Sequence, residues 1–283
     1  MIFPSTYPLR NLYRLFSSRN GICALGITLG GFSFGVQNSW AELIAGDDFT
    51  YPDGVLANGA NSGGIGWSEP WMGNKRPRIQ SSGNLTFLSQ GYDNLQHGTG
   101  MIISTDDHSG VSCRSLSSPI VGTSNGTDVW FSLLVRVEKN QVQSGRLGFH
   151  FNVSDTGTNA SRLGASAGFI LANTDFRSYV RGGANTGSTS GQSLELNSTH
   201  LIVGRVSLHD ARESNISIWF DPPNVTNVET LGEASFVFSA DLGGSIRNIG
   251  VETYSGAKEG GAGALDALRI GSDLASVVAS LPK

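Results

Sequence analysis

The stretch VWFSLLVRVE, residues 129–138, decides the fold class. Its odd positions are all apolar, whereas Ser132, Arg136 and Glu138 stand at even positions. Successive side chains of a β-strand point to opposite faces of a sheet, so a strand with one buried face alternates in this way. The stretch therefore predicts a half-buried β-strand.

The same alternation recurs at residues 149–153 and 215–221, and short apolar runs separated by Gly, Ser, Asn and Asp follow one another along the chain. The candidate strands are residues 97–104, 128–138, 146–153, 165–172, 176–181, 200–208, 215–221, 234–239, 246–254 and 264–271. Residues 182–193 and 255–263 contain too few apolar side chains to pack, so they are predicted to be surface loops. No stretch shows a sustained helical period. The pattern predicts an all-β protein of antiparallel sheets packed face to face.

The N-terminus predicts export. Residues 1–41 contain no Asp or Glu and carry Arg10, Arg14 and Arg19 ahead of an uncharged stretch. Small residues precede Glu42, so we expect residues 1–41 to be a removed signal peptide and the protein to be secreted or displayed at the cell surface. An uncleaved anchor is the alternative, but residues 21–36 contain five glycines and are shorter than the roughly 20 apolar residues of a stable membrane span.

Residues 42–283 are predicted to form a single domain, a size that β-sandwiches reach. Without the three arginines of the signal, 16 basic residues face 23 acidic ones, a net charge near −7. This charge disfavours nucleic acid and anionic membrane surfaces as partners. Cys113 is the one cysteine left in this range, so no intramolecular disulfide is possible there.

Four stretches resemble a known family. Residues 47–56 (DDFTYPDGVL) and 61–71 (NSGGIGWSEPW) are similar to the opening of concanavalin A-like, laminin-G-like jelly-roll proteins exported by bacteria. Residues 204–222 resemble a strand pair of that family, and residues 263–271 (GALDALRIG) resemble its last strand. The resemblance implies a two-sheet antiparallel jelly-roll sandwich. The C-terminal sorting tail of many relatives is not expected, because no apolar segment followed by basic residues ends the chain. The fold hosts lectins, glycan hydrolases and adhesive modules, so function must be argued from a site.

No catalytic site is predicted. A retaining β-glucanase needs two carboxylates two or four residues apart on one strand, and neither Glu195 nor Glu252 has such a partner. The neighbouring Arg114 would lower the pKa of Cys113, but a packed thiol is the commoner role for such a cysteine. The histidines lack the spacing of a zinc site, and His150, between Phe149 and Phe151, is predicted to point away from the core. We therefore expect a protein that is not an enzyme.

Two kinds of binding site are predicted. Asp47, Asp48 and Asp266 offer oxygen ligands near loops, and the resemblance implies that they could hold a structural Ca²⁺; solvated turn aspartates are the alternative. Aromatic faces stack on sugar rings, and the candidate aromatic residues are Trp67, Trp71, Trp219, Tyr51 and Tyr254. Trp219 should face opposite to its neighbours Ile218 and Phe220, on a sheet surface. Alternatively, the tryptophans of the 61–71 stretch plug the open end of the sandwich.

The leading functional hypothesis at this stage is a secreted, non-enzymatic module that binds carbohydrate or an extracellular matrix polymer. A structural or adhesive surface protein without a small ligand is the first alternative. A glycan-active hydrolase is the second.

Overall fold

β-Strands carry nearly all of the regular structure in the computed structural model, which describes residues 41–73, 77–92, 100–103, 110–137, 146–153, 166–172, 175–181, 187–254 and 263–281. The strands in chain order are β1 (Leu43–Asp47), β2 (Gly54–Val55), β3 (Met72–Gly73), β4 (Arg78–Gln80), β5 (Met101–Ile103), β6 (Gly110–Val121), β7 (Thr127–Val137), β8 (Arg146–Phe151), β9 (Ser166–Ala172), β10 (Asp175–Arg181), β11 (Gly187–Ser193), β12 (Thr199–Leu208), β13 (Ser214–Phe220), β14 (Phe236–Ala240), β15 (Ser245–Tyr254) and β16 (Gly263–Gly271). A 3-10 helix (Glu229–Leu231) and a short helix α1 (Leu274–Val278) complete the described elements. The predicted all-β class is confirmed.

The strands form two sheets. The nine-stranded sheet has the order β14-β13-β12-β7-β16-β5-β4-β2, with β1 also paired to β16. The seven-stranded sheet has the order β11-β10-β9-β8-β15-β6-β3. Every pairing between these strands is antiparallel. The predicted two-sheet antiparallel jelly-roll sandwich is thereby confirmed.

The main core lies between the sheets. Phe131 of β7 stacks on Phe149 of β8, with 5.6 Å between the ring centroids, and meets Phe151 edge-on at 5.3 Å. The apolar odd positions of the 129–138 stretch all belong to this core, as the alternation predicts. Burying these side chains supplies the main stabilisation, at about 25 cal/mol for each Å² removed from water.

A second apolar layer covers the outer face of the nine-stranded sheet. It contains Trp130 and Leu134 of β7, Trp219 of β13 and Val277 of α1. The prediction that β7 is only half buried is therefore wrong: seven consecutive residues, 129–135, are buried. The even positions Trp130 and Leu134 are apolar, and α1 and the segments around Leu85 and Leu231 pack on this face.

The outer face of the seven-stranded sheet has a different character. Among the described residues its apolar cluster is small, with Val111 and Val153 buried and Cys113 and Tyr179 packed against them. The other side chains on this face are mostly polar, and the alternation of the strands decides which of them point here. This face carries the candidate site.

Six strands were not predicted from the sequence: the short strands β1, β2, β3 and β4, and the longer strands β6 and β11. β6 alternates poorly, because its inward positions include the buried polar residues Ser112 and Arg114. β11 lies within residues 182–193, which were predicted to be a loop, and that prediction is wrong for residues 187–193. This edge strand pairs with β10 through its backbone and needs no apolar side chains for those bonds. Residues 255–262 of the other predicted loop, and the predicted signal peptide apart from Ala41, lie outside the described residues.

Candidate functional site

The aromatic residues proposed to stack on sugar rings lie mostly in the interior. Trp71 is fully buried and Tyr51 is 8% exposed, and both belong to the main core. Trp67 is partly buried; its ring lies 6.3 Å from that of Trp71, and its Nε1 donates to the carbonyl of Gly46 at 3.0 Å. These contacts match the alternative that the tryptophans of this stretch fill space in the sandwich. The side chain of Tyr254 lies outside the described residues.

Trp219 does point opposite to Ile218 and Phe220, but the sheet surface it occupies is not open. It is 6% exposed, stacks on Trp130 at 5.8 Å and donates from Nε1 to the carbonyl of Gly232. The expectation of an exposed Trp219 is wrong because the second apolar layer covers this face.

Asp47 is the centre of a buried polar network. Its Oδ2 accepts hydrogen bonds from the Tyr51 hydroxyl at 2.7 Å, Trp71 Nε1 at 2.9 Å and Arg114 at 2.7 Å. Burial raises the pKa of Asp47 and these donors oppose that rise. Arg114 also donates to the carbonyls of Gly63 and Glu69, so the network ties the 51–71 segment to β1 and β6.

The three aspartates proposed to hold calcium do not converge. Asp47 and Asp48 are adjacent, yet Asp47 binds Arg114 and Asp48 binds Arg269. Asp266 accepts bonds from the main-chain N–H groups of Leu85 and Ala267. Among the described residues no three His, Cys, Asp or Glu side chains are grouped as a metal site would require. Calcium binding stays a prediction.

Cross-strand register assembles a polar cluster on the outer face of the seven-stranded sheet. His150 of β8 is paired with Gly168 of β9, and Gly168 is paired with Tyr179 of β10. The next row along the strands contains Glu252 of β15, paired with Gly148, and Arg177 of β10. We call His150, Glu252, Tyr179 and Arg177 the outer-face cluster.

His150 and Glu252 form the buried part of this cluster. The distance from His150 Nε2 to Glu252 Oε2 is 3.1 Å, and both side chains are fully buried. The imidazole reaches Glu252 over Gly148, where a Cβ would stand 2.6 Å from Nε2. In a neutral imidazole, donation from Nε2 to an ionised Glu252 carboxylate leaves the lone pair on Nδ1. Nδ1 has no hydrogen-bond partner among the described residues.

Tyr179 and Arg177 are the more exposed members. The Tyr179 ring meets the imidazole of His150 edge-on, with 5.5 Å between centroids, because Gly168 between them carries no side chain. The Arg177 side chain is 32% exposed and is held by Asp175 at 3.3 Å. Its Nε is buried and has no hydrogen-bond partner in the described part of the chain. The cluster thus combines an oriented imidazole, a phenol and a guanidinium on one face.

The two carboxylates that the described strands place on this face are too far apart for glycoside hydrolysis. The described strands place Glu252 of β15 and Asp175 of β10 here, with β8 and β9 between them. Adjacent strands are about 4.8 Å apart, so the two positions are separated by at least about 14 Å. Glycosidase carboxyl pairs stand roughly 5 to 9.5 Å apart.

Sequence reasoning placed His150 on an outward face, which is confirmed, but it treated Glu252 as an isolated carboxylate and did not consider Tyr179 or Arg177. Arg177 and Tyr179 are neighbours on one face of β10, but His150 and Glu252 are each more than 20 positions away from them and from each other, and the three strands meet only through pairing. The signal that could have found them is a polar residue at an outward position in each of the predicted strands that became β8, β10 and β15.

No protein-family profile matches the chain, and no characterised protein matches it by sequence. Solved structures do match. The endo-β-1,4-glucuronan lyase of the fungus Trichoderma reesei is 12% identical with a TM-score of 0.48, over 82% of this chain and 100% of that one. An alginate lyase is 13% identical with a TM-score of 0.47, over 80% and 95%. A galactose-bound lectin is 9% identical with a TM-score of 0.38, over 69% and 97%.

This comparison corrects the expectation of a non-enzymatic protein. The matched structures include polysaccharide lyases. The expectation depended on the absence of a carboxylate pair in the sequence pattern, which bears on glucanase chemistry alone. None of the helices in the described residues is long and apolar enough to cross a membrane.

Proposed function

We propose that the protein is a glycan-active enzyme, that the outer-face cluster is its active site, and that it cleaves acidic polysaccharides by β-elimination. The observation that carries the proposal is the buried pair His150–Glu252, which leaves Nδ1 of a fully buried imidazole without a described partner. Burying such groups is costly unless they are paired or serve a reaction.

Elimination suits these groups better than hydrolysis. Hydrolysis by the common route needs two carboxyl groups at close range, which the strands of this face do not provide. Elimination from a uronate needs a base for the proton beside the carboxyl group, a cation near that carboxylate and an acid for the leaving oxygen. In this site His150 would be the base, Arg177 the cation and Tyr179 the acid.

The proposed step is balanced in protons and electrons. His150 Nδ1 takes the proton from C5 of the uronate, and the C–H electron pair becomes the C4=C5 double bond. The bond from C4 to the glycosidic oxygen breaks, and that oxygen receives the proton of the Tyr179 hydroxyl. Arg177 stabilises the charge that develops on the carboxylate, while Glu252 stabilises the imidazolium.

Burial of the pair adds a condition. Because His150 and Glu252 are closed to solvent, substrate must displace part of this face on binding. Tyr179 and Arg177, the more exposed members, would meet the polymer first. The unpartnered Arg177 Nε favours an anionic sugar at that point.

The test is an assay of residues 42–283 on alginate, polyglucuronate and a neutral β-glucan. Elimination creates a double bond conjugated to a carboxylate, which absorbs ultraviolet light, whereas hydrolysis creates reducing ends without that absorbance. We expect absorbance to rise with an acidic polymer and not with the glucan. His150→Ala and Tyr179→Phe should each lower kcat/KM by about 10² to 10⁴-fold.

Asn215→Ala is the matched control, because Asn215 is exposed on the nine-stranded sheet and bonds only to Ser239 among the described side chains. Its activity should equal that of the unchanged protein. Full activity in His150→Ala, or reducing ends without absorbance, would contradict the proposed chemistry.

A further inference from the structure

Unpaired buried polar atoms concentrate on the face that carries the outer-face cluster. Eight buried side-chain atoms of the described residues have no hydrogen-bond partner. Four of them lie on this face, namely His150 Nδ1, Arg177 Nε, Ser166 Oγ and Asn248 Oδ1. The first two belong to the proposed active site, whereas Ser166 and Asn248 have no part in it.

Ser166 and Asn248 lie in one cross-strand row beside that of His150. Phe151 pairs with Ala167 on one side and with Ile249 on the other, so Asn152 stands between Ser166 and Asn248. Two residues along a strand span about 7 Å. The row therefore follows the His150 row on the side away from Glu252 and Arg177.

The side chain of Asn152 is already committed within the protein. Its Nδ2 donates to the carbonyls of Leu242 and Ser245, and its Oδ1 accepts from the N–H of Arg247. The two flanking residues, Ser166 and Asn248, are left with a hydroxyl and an amide oxygen that no described group meets. Ser166 is 1% exposed, so bulk water does not satisfy its hydroxyl.

The two unpaired atoms of this row belong to uncharged side chains, and Arg181 of β10 is paired with Ser166 at the end of the same row. An amide oxygen accepts and a hydroxyl both donates and accepts, and neither carries charge. Such a pair can bind the hydroxyl groups of a sugar. We propose that Ser166 and Asn248 form a binding subsite for the hydroxyls of a neighbouring sugar unit, an inference that rests on the proposed function for the reaction at the adjoining row.

The subsite has a consequence for the substrate. The three rows extend over about 13 Å along the strands, which is longer than a single pyranose ring. A polymer lying along the strands would place its reacting uronate at His150 and Arg177 and the hydroxyls of an adjacent unit at Ser166 and Asn248. Binding energy gained at a distance from the reacting atoms lowers KM and leaves the chemical step unchanged.

The experiment compares Ser166→Ala and Asn248→Ala with the Asn215→Ala control on alginate and polyglucuronate. Loss of one ordinary hydrogen bond predicts a rise in KM of about three- to tenfold, with kcat held within about twofold. The thermal midpoint of neither variant should fall, since the removed atom has no described partner in the protein. A lower kcat at unchanged KM, no change in KM, or a lower midpoint would overturn the subsite.

Gel electrophoresis through alginate separates failure of the subsite from failure of the proposed function. If the unchanged protein is inactive on every polymer, the elimination site is wrong. The subsite still stands if alginate retards the unchanged protein and His150→Ala equally and retards Ser166→Ala and Asn248→Ala less. Equal retardation of all variants, or none, would overturn it.

Discussion

Asp266 is a fully buried carboxyl group at an irregularity of β16, where the next residue, Ala267, has a φ of 55°. Burial raises the pKa of Asp266 to about 8, although two main-chain N–H groups and Arg269 favour the ionised form. The sequence marked this residue only as an oxygen donor near a loop. Its charge state depends on the removal of water by the layer around Leu85, which no local pattern reveals.

Replacing Asp266 by Asn should flatten part of the pH dependence of stability. The folded pKa lies above the ordinary value of 3.8, so the folded state holds a proton that the unfolded state releases as the pH rises. The stabilisation from Asp266 is complete below about pH 4 and is lost as the pH rises towards about 8. Urea unfolding at several pH values measures this as the difference between the two curves.

Asn215→Ala, at an exposed and uncharged position, is the control for that experiment, and its curve should run parallel to that of the unchanged protein. Parallel curves for the Asp266 variant would show that the carboxyl group has the same pKa in both states.

At the scale of elements, the outer-face cluster depends on positions where a strand has no side chain. His150 reaches Glu252 because Gly148, on its own strand, has no Cβ in the path. A glycine two residues before a histidine does not by itself indicate a functional site in a sequence. Its meaning becomes visible only when β15 is seen to pair with β8, so that Glu252 lies opposite Gly148.

Gly148→Ala should lower activity without removing any functional group. The new Cβ would stand 2.6 Å from His150 Nε2 and 3.1 Å from Ile170 Cγ2, so the imidazole must move away from Glu252. We expect kcat to fall by about tenfold or more with KM nearly unchanged, because the interaction that is lost acts in the transition state. Steady-state kinetics on the active polymer provide the measurement.

The double variant Gly148→Ala/His150→Ala is the internal control. If the glycine acts through His150, the double variant should be no less active than His150→Ala alone. A further loss in the double variant would mean that the alanine disturbs the sheet in another way.

At the scale of the whole molecule, Asp47 and Arg114 connect the two sheets. Asp47 ends β1 in the nine-stranded sheet, and Arg114 lies on β6 in the seven-stranded sheet. Both side chains are about 2% exposed, and Tyr51, Trp71 and the Gly63 carbonyl complete their hydrogen bonds. The buried charge of Asp47 is tolerated because Arg114, on the opposite sheet, neutralises it.

Removing either member alone should destabilise the protein strongly. Asp47→Asn or Arg114→Met leaves the other charge buried without its partner, which costs about 3 to 5 kcal/mol in the free energy of unfolding. The double variant should recover part of that loss. Denaturant unfolding of the four proteins measures the coupling, and additive losses would show that the two side chains do not interact.

Alternation in the sequence was sufficient for the all-β class, the antiparallel pairing and most strand positions, because burial on one face imposes a period of two wherever a strand is formed. It missed the short strands β1 to β4, which are two to five residues long. It also failed for β6 and β11, where an inward arginine and an edge strand made of serines and glycines remove the apolar signal.

Only the tertiary structure decided which face is open and which residues meet. The second apolar layer buries Trp219, and the register of β15, β8, β9 and β10 brings His150 and Glu252 to the Arg177–Tyr179 pair, from which they are far apart in sequence. The physical reason is that side-chain periodicity is a local property of a strand. Covering of a face and cross-strand contact depend on segments distant in the chain, whose pairing is settled by the packing of the whole sandwich.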